Sequence, residues 1–303
     1  MLSIWSTWTA MSTNTGTVVG TNAEYRTHGD CQVLVGDCRE VLTTIPGNTV
    51  QCAITSPPYW GLRDYGVAGQ IGAESELDDY IRDLVAVFRE VRRVLRPDGS
   101  LWLNIGDSYT SGNRAWRQAD RKNPARGMSY RPPNPEGLKD KDLIGVPWRL
   151  AIALQADGWY LRSDIIWYKP NCQPESVKDR PTRSHEHVFL LTRNEDYYYD
   201  HEAVREPTIE PGKLRQRRDV WTINTESSKE AHFAMFPPSL VRVCMEAGSP
   251  VGALVLDPFF GAGTVGVVAM ESARRCLGIE LKTEYAEIAR SRIAAVNPRL
   301  PMW

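Results

Sequence analysis

A parallel β-sheet flanked by helices, an α/β fold, is the architecture that the sequence predicts. Short apolar, β-branched runs alternate with segments of helical period along most of the chain, the pattern of strand–helix–strand units. Near the end, GALVLDPFFGAGTVGVVAMESARRCLGIEL reads as strand, glycine-rich turn, helix and strand. At 303 residues, 42% apolar and 24% charged, the chain suits one large domain with sizeable insertions.

CQVLVGD (Cys31 to Asp37) reads as a buried strand, followed by a helix near CREVLTTI. VQCAIT (Val50 to Thr55) is the second strand. Ile81, Leu84, Val85, Phe88, Val91 and Leu95 then fall on one face of a helix. RPDG turns the chain into SLWLNIGD, a third strand. From Ser108 to Asp142 the periodicity dissolves into Gly, Pro, Asn and Arg, and so long a loop inside a compact domain is functional or disordered. VPWRLAIALQADGW restores a helix, and YLRSDIIWYK and HEHVFLLTR two strands. Pro170 to Arg183 and Glu206 to Glu230 are irregular again.

Charge and composition exclude several classes. A formal net charge of −1 gives no global attraction to a polyanion, so any nucleic-acid surface must come from local clusters of Lys and Arg. The six cysteines lack any C-x-x-C pair, which argues against zinc or a disulfide framework and for reduced, cytoplasmic thiols. No apolar run is long enough to span a membrane. The segment MLSIWSTWTAMSTNTGTVVG lacks the basic flank and apolar core of a secretory signal; it reads as a loose tail, with Met11 as an alternative start.

Two turns carry chemistry. Gly261, Gly263 and Gly266 spell G-x-G-x-x-G between a strand and a helix, and Glu280 closes the next strand. Glycines let a ligand approach the backbone, and an acid at that distance grips ribose hydroxyls; tight helix–strand packing is the plainer reason for the glycines. Asp257 at the start of the turn repels a diphosphate but pairs with an ammonium, which points to S-adenosylmethionine. The second turn, TSPPYW (Thr55 to Trp60), ends a strand with two prolines that cannot continue a ladder. In open α/β sheets ligands gather at the carboxyl ends of strands where strand order reverses, so adjacent strands would bring the two turns together.

TSPPYW followed by DPFFGAGTVG resembles the amino-group DNA methyltransferases, the N4-cytosine/N6-adenine family, in the circularly permuted order of its β class. The resemblance covers nearly the whole chain beyond about Tyr25. It implies a class I, Rossmann-like methyltransferase fold, permuted, with a mostly parallel mixed sheet and DNA-recognition insertions. It also implies a division: a flexible tail over residues 1–24 and one domain over 25–303. That domain comprises a catalytic half (25–170), irregular target-recognition segments (about 108–142 and 170–230) and a cofactor half (231–303). By the same resemblance Ser56, Pro57, Pro58 and Tyr59 are the catalytic residues. Asp37, Thr55, His232, Phe236, Pro237, Asp257, Pro258, Phe259, Gly261, Gly263, Thr264 and Glu280 bind S-adenosylmethionine.

The chemistry accounts for these residue types. An exocyclic amine is a poor nucleophile, and acceptors such as Ser56 Oγ and the Pro57 carbonyl favour a more tetrahedral nitrogen; the prolines fix their directions. Tyr59 offers a face to a base extruded from the duplex. No Pro-Cys nucleophile of the C5-cytosine kind is present. A serine in the first position is associated in the family with cytosine N4, and its hydroxyl can accept from the amine or donate to cytosine N3. Adenine N6 is the alternative.

Basic residues gather where periodicity is lost. Arg114, Arg117, Arg121, Lys122, Arg126 and Arg131 are interleaved with Trp116 and Tyr130, and Lys213, Arg215, Arg217 and Arg218 form KLRQRR. Beside the methyltransferase motifs they are candidate DNA contacts; alone they would read as a solvated linker. DCRE fits a capping box on Asp37 and Glu40, a role compatible with cofactor contact. His185 and His187 share a strand face without further ligands at metal spacing, and Tyr197 to Asp200 reads as a strand edge or packing cluster. Trp60, Trp102 and Trp167 suit core or base stacking equally. A nicotinamide-dependent dehydrogenase would use the glycine turn but leaves TSPPYW and Asp257 without a role. A silent DNA-binding module would not need Ser56, Tyr59, Asp257 and Glu280 together. A protein-glutamine methyltransferase is opposed by Ser56 and the permuted order. A cognate restriction endonuclease is a candidate partner; the recognition sequence and oligomeric state are not legible.

Overall fold

The structure is a computed structural model that describes residues 15–17, 24–28, 30–62, 64, 66–67, 69–110, 132–226 and 236–296. In chain order it places β1 (Thr15–Thr17), β2 (Glu24–His28), β3 (Cys31–Val35), α1 (Cys38–Thr44), β4 (Val50–Thr55), α2 (Leu77–Val94) and β5 (Leu95–Ile105). Next come α3 (Val146–Ala156), β6 (Tyr160–Tyr168), β7 (His185–Thr192), β8 (Glu206–Pro207), β9 (Leu214–Arg215) and β10 (Val220–Thr222). The chain continues with α4 (Pro238–Gly248), β11 (Leu254–Asp257), α5 (Thr264–Glu271), β12 (Arg275–Glu280) and α6 (Thr283–Ala294). Thr15–Thr17 fall inside the segment expected as a tail, yet pair antiparallel with β2.

Ten strands form one sheet in the order β1-β2-β3-β12-β11-β4-β5-β7-β6-β10. Strands β3, β12, β11, β4 and β5 run parallel, and β7 lies antiparallel between β5 and β6. Side chains alternate across the sheet as the pleat requires. Ala53, Leu101, Leu103, Leu254 and Leu256 face a core shared with Leu42, Leu84, Phe88 and Leu150 of α1, α2 and α3. Cys52, Ile54, Trp102 and Val255 face a second core with Val241, Val265, Val268 and Ile293 of α4, α5 and α6. Each fully buried Leu or Phe contributes about 1.5–3 kcal/mol. Helix α2 has Asp78 and Asp79 in its first turn and Arg92 and Arg93 in its last, matching the helix dipole.

The predicted strands and helices are present, with three differences: Glu206 to Glu230, read as irregular, holds β8, β9 and β10, the last of which pairs with β6 at the edge of the sheet. Val50 pairs with Leu95 and Cys52 with Ser100, so RPDG bulges out of β5 rather than preceding it. Tyr197 and Tyr199 lie outside the strands and pack on the second core, where Tyr199 stacks on Trp102 at 6.3 Å. Trp60, Trp102 and Trp167 are all core residues, 7%, 1% and 3% exposed.

The order of the central strands fixes the site. From β4 the chain crosses to β5 on one side, and from its neighbour β11 to β12 on the other. The carboxyl ends of β4 and β11 are therefore the point where strand order reverses, the place a ligand crevice forms.

Candidate active site at the strand crossover

Thr55 ends β4 and Asp257 ends β11, and their side chains meet across 202 residues of sequence: Thr55 Oγ1 donates to Asp257 Oδ1 at 2.6 Å. Both are buried, at 0% and 2% exposure. The Phe259 N–H donates to the same oxygen at 3.0 Å, leaving Oδ2 with no hydrogen bond from the described residues. Burial above all, with the nearby Glu280 carboxyl, pushes the Asp257 pKa up to about 7 against the hydrogen bonds from Thr55 and Phe259. Among the described residues no cation stands beside this buried carboxyl, so its second oxygen is available to a positively charged group.

The glycine turn is held by the acid predicted beside it. Glu280 Oε2 accepts from the Gly261 N–H at 2.7 Å and Oε1 from the Lys282 N–H at 2.9 Å, and a carboxylate keeps further lone pairs for ligand hydroxyls. Gly261 adopts φ +52° at the turn. Gly263 is left-handed as well, at φ +78°, and both it and Gly266 also serve packing, because a Cβ there would meet Ala289 and Ile293 of α6. Gly263 caps α5, which begins at the buried Thr264. Pro258 follows Asp257 directly, and the Phe259 ring packs edge-on against Phe88 at 6.4 Å. Pro237 caps α4, and the half-buried Phe236 packs on the second core. His232 lies outside the described residues.

Asp37 caps α1 through the Arg39 N–H at 2.8 Å, not through Glu40. The described contacts hold no reciprocal bond from the Glu40 side chain; the Glu40 N–H donates to the Asp37 carbonyl at 3.0 Å, and the Arg39 guanidinium donates to both Asp37 side-chain oxygens. Asp37 nevertheless stands beside the end of β12, since the neighbouring Gly36 N–H donates to the Glu280 carbonyl at 2.9 Å.

In the TSPPYW turn, the Tyr80 hydroxyl donates to the Pro58 carbonyl at 2.8 Å. The Pro57 carbonyl accepts no hydrogen bond from the described residues. The Tyr59 hydroxyl donates to Glu186 Oε2 at 2.8 Å, an oxygen that also accepts from Asn104 Nδ2 at 3.1 Å. Lys169 Nζ donates to Glu186 Oε1 at 2.8 Å. Sequence reasoning missed Glu186, Lys169, Asn104 and Tyr80. The signal for Glu186 was its alternation with His185 and His187, which puts it on the opposite strand face; His187 bonds Asp164 at 2.7 Å.

Gly106 makes this arrangement possible: a Cβ there would lie 2.9 Å from Tyr59 Cε2 and 3.2 Å from Glu186 Cδ. Gly106→Ala is expected to displace the Tyr59 ring, costing about 1–3 kcal/mol of stability and about 10–100-fold in methyl-transfer rate. Thermal melting and single-turnover assays measure both.

The DNA methylase family profile matches residues 50–291. The type II methyltransferase M.SmaI of Serratia marcescens is 62% identical over 264 residues, 87% of this chain and 90% of that protein. M.Cfr9I of Citrobacter freundii is 60% identical over 258 residues, 85% and 86% of the two chains. The chain belongs to the DNA methylase family. It is an S-adenosylmethionine-dependent DNA amino-methyltransferase. The fold is that of the PvuII cytosine-N4-specific DNA methyltransferase, with TM-score 0.66, 20% identity and coverage of 89% and 88%. It also matches a Thermus thermophilus protein solved with S-adenosyl-L-methionine, with TM-score 0.60, 26% identity and coverage of 86% and 91%.

In the methyltransferase the predicted basic residues are placed unevenly. Arg114, Arg117, Arg121, Lys122, Arg126 and Arg131 lie outside the described residues. KLRQRR enters β10 from the amino side of the sheet, not from the carboxyl edge that bears Ser56. Lys213 pairs with Glu210, Arg215 and Arg218 share Glu206 at 2.8 and 2.7 Å, and Arg217 donates to the Val204 carbonyl at 2.8 Å. At the carboxyl edge, Arg180 and Arg183 lie 3.9 and 5.8 Å over the Tyr109 ring, joining the two irregular segments beside the catalytic turn. Among the described residues, no helix is long and apolar enough to cross a membrane, and no group of three or more His, Cys, Asp or Glu is placed to hold a metal.

Proposed function

We propose that this methyltransferase modifies the N4 amine of cytosine within a short recognition sequence of duplex DNA, protecting that sequence from a cognate restriction endonuclease. The observation that carries the reading is the Thr55–Asp257 hydrogen bond, which ties the serine-bearing turn to the cofactor turn. The serine itself supports cytosine, and the type II relatives support a paired endonuclease.

The donor set fits the cofactor. Asp257 would hold the methionine ammonium, Glu280 the ribose hydroxyls, and Asp37 the adenine edge, with Phe236, Pro237, Phe259 and Thr264 closing the pocket. When bound, S-adenosylmethionine supplies a methyl group on a positively charged sulfur. Ser56 Oγ and the free Pro57 carbonyl would accept the two amine hydrogens of an extruded cytosine, drawing the nitrogen lone pair out of conjugation with the ring. The Tyr59 ring would support the base. Duplex DNA would lie over the carboxyl edge, where the Tyr109–Arg180 contact joins residues 108–142 to 170–183.

Asp257 makes cofactor binding pH-dependent. An ammonium pairs with the ionised carboxylate, so below about pH 7 the cofactor Kd is expected to rise about tenfold per pH unit, and above it to level off. Calorimetric titration of the protein with cofactor measures this; a flat Kd through that range contradicts the Asp257 assignment. Site specificity is tested by methylating unmethylated DNA of diverse sequence and sequencing the modified positions. One short shared sequence is expected, and label scattered over all cytosines would overturn the reading.

A further inference from the structure

The phenol end of Tyr59 is held by groups from outside the TSPPYW turn. Its hydroxyl donates to Glu186 Oε2 at 2.8 Å, and the same oxygen accepts from Asn104 Nδ2 at 3.1 Å. Glu186 Oε1 accepts from Lys169 Nζ at 2.8 Å, in an ion pair whose side chains are 16% and 19% exposed. Asn104 is itself fixed, since its Nδ2 also donates to the His187 carbonyl at 3.2 Å. Burial alone would raise the Glu186 pKa, but the Lys169 ammonium and the hydrogen bonds from Lys169, Tyr59 and Asn104 outweigh it and hold it below the ordinary glutamate value. A carboxylate accepts hydrogen bonds without donating them, so it is a firm acceptor for the single proton of the phenol.

The ring is fixed at its other end and along one edge as well. Pro57 and Pro58 restrict the backbone that leads into Tyr59, and the Tyr80 hydroxyl holds the Pro58 carbonyl at 2.8 Å. Gly106 lies against the ring edge, where a Cβ would come within 2.9 Å of Tyr59 Cε2. A tyrosine held in this way presents one face and keeps it. A buried ion pair adds little to stability compared with apolar side chains of similar volume, so stability alone does not account for Lys169 and Glu186 at this place.

We propose that Glu186, held by Lys169 and Asn104, is a positioning residue that fixes the Tyr59 ring through its hydroxyl and so gives an extruded base a ready-made stacking face. The inference rests on the reading that the Tyr59 ring supports that base. Stacking on a ring already in place avoids the cost of ordering it on binding. It also sets where the amine lies relative to the methyl donor, and a small misplacement there slows transfer.

The test uses the full-length protein, S-adenosylmethionine and a duplex that the enzyme methylates, and measures single-turnover methyl transfer and cofactor Kd. Tyr59→Phe keeps the ring and the Lys169–Glu186 pair but removes the hydroxyl that Glu186 holds. K169M/E186L keeps the hydroxyl and removes the pair as a unit, so that neither charge is left buried alone. Each is expected to slow transfer roughly 10-fold to 100-fold with an unchanged cofactor Kd. Because both act through one hydrogen bond, Y59F/K169M/E186L should be no slower than K169M/E186L. The second readout is the fluorescence of 2-aminopurine at the target position. Stacking on an aromatic ring quenches it, so the Y59F and K169M/E186L complexes should be brighter than that of the unaltered enzyme.

A full rate in Y59F overturns the proposal, and so does a triple variant whose loss is the product of the other two. If K169M/E186L does not fold, Y59F carries the test by rate and fluorescence together, and unchanged fluorescence overturns the inference. Tyr59→Ala addresses the reading beneath it. A full-rate Y59A enzyme would overturn the support of the base by Tyr59, whereas a slow Y59A beside a full-rate Y59F would overturn only the positioning role of Glu186.

Discussion

Asp257→Asn is expected to weaken S-adenosylmethionine binding by on the order of 10²-fold or more while leaving the protein at least as stable near neutral pH. The loss follows from removing the one charge at the end of β11 that can pair with an ammonium; breaking a buried pair costs about 3–5 kcal/mol. The preserved stability follows from the rest of the site. The asparagine oxygen can still accept from the Thr55 hydroxyl and the Phe259 N–H, the two bonds that fix the turn. The sign of the pH effect agrees. Because the folded pKa, about 7, lies above the ordinary value of 3.8, the fold holds the proton more tightly than the unfolded chain does. Stability from this group is greatest below the ordinary pKa and falls as pH rises towards the folded one. A neutral asparagine escapes that penalty. Calorimetry with cofactor and thermal melting test the two halves separately; normal cofactor affinity in the variant would remove Asp257 from the binding site.

Ser56→Ala is expected to show the complementary pattern: methyl transfer slowed by about 10²–10³-fold, the scale of losing one preorganised hydrogen-bonding group at a reacting centre, with cofactor affinity intact. Ser56 follows Thr55 directly, and Thr55 is anchored to Asp257. Pro57 and Pro58 remove the freedom that would let another group take the serine's place. The Pro57 carbonyl remains as a second acceptor, so activity should be reduced and not abolished. Single-turnover rates and DNA binding measured together distinguish this outcome from a folding defect, which would lower both.

Much of this was legible because the relevant signals are local. Strand runs such as VQCAIT, the helical face from Ile81 to Val91, and the two motifs each report on their immediate neighbourhood, and the sheet puts both motifs at neighbouring strand ends. Less legible were features that depend on which strands become neighbours. Glu186 sits between two histidines in SHEHVF, and nothing in that stretch says that β7 will lie beside β5 and turn its glutamate towards Tyr59. Lys169 reaches the same carboxylate from just past the end of β6, by way of a strand order that runs β5-β7-β6. The glycine motif was legible as a turn, yet two of its three glycines answer to the close approach of α6, a tertiary requirement. Asp37 was legible as a cap, but its side chain takes the Arg39 N–H, and the Glu40 N–H goes to the Asp37 carbonyl instead. KLRQRR looks like a free basic cluster in the sequence, whereas Glu206 and Glu210 neutralise most of it in the fold.

The central claim is that one crevice, joined by Thr55 and Asp257, delivers a methyl group to the N4 amine of cytosine. The direct measurement is mass spectrometry of nucleosides from unmethylated DNA incubated with the protein and S-adenosylmethionine. N4-methylcytosine is the predicted product, and it should vanish from the Asp257→Asn reaction at limiting cofactor. N6-methyladenine in its place would contradict the reading of Ser56 as a cytosine-selecting residue, and DNA left unmodified by a protein that binds the cofactor would contradict the account of the site as a whole.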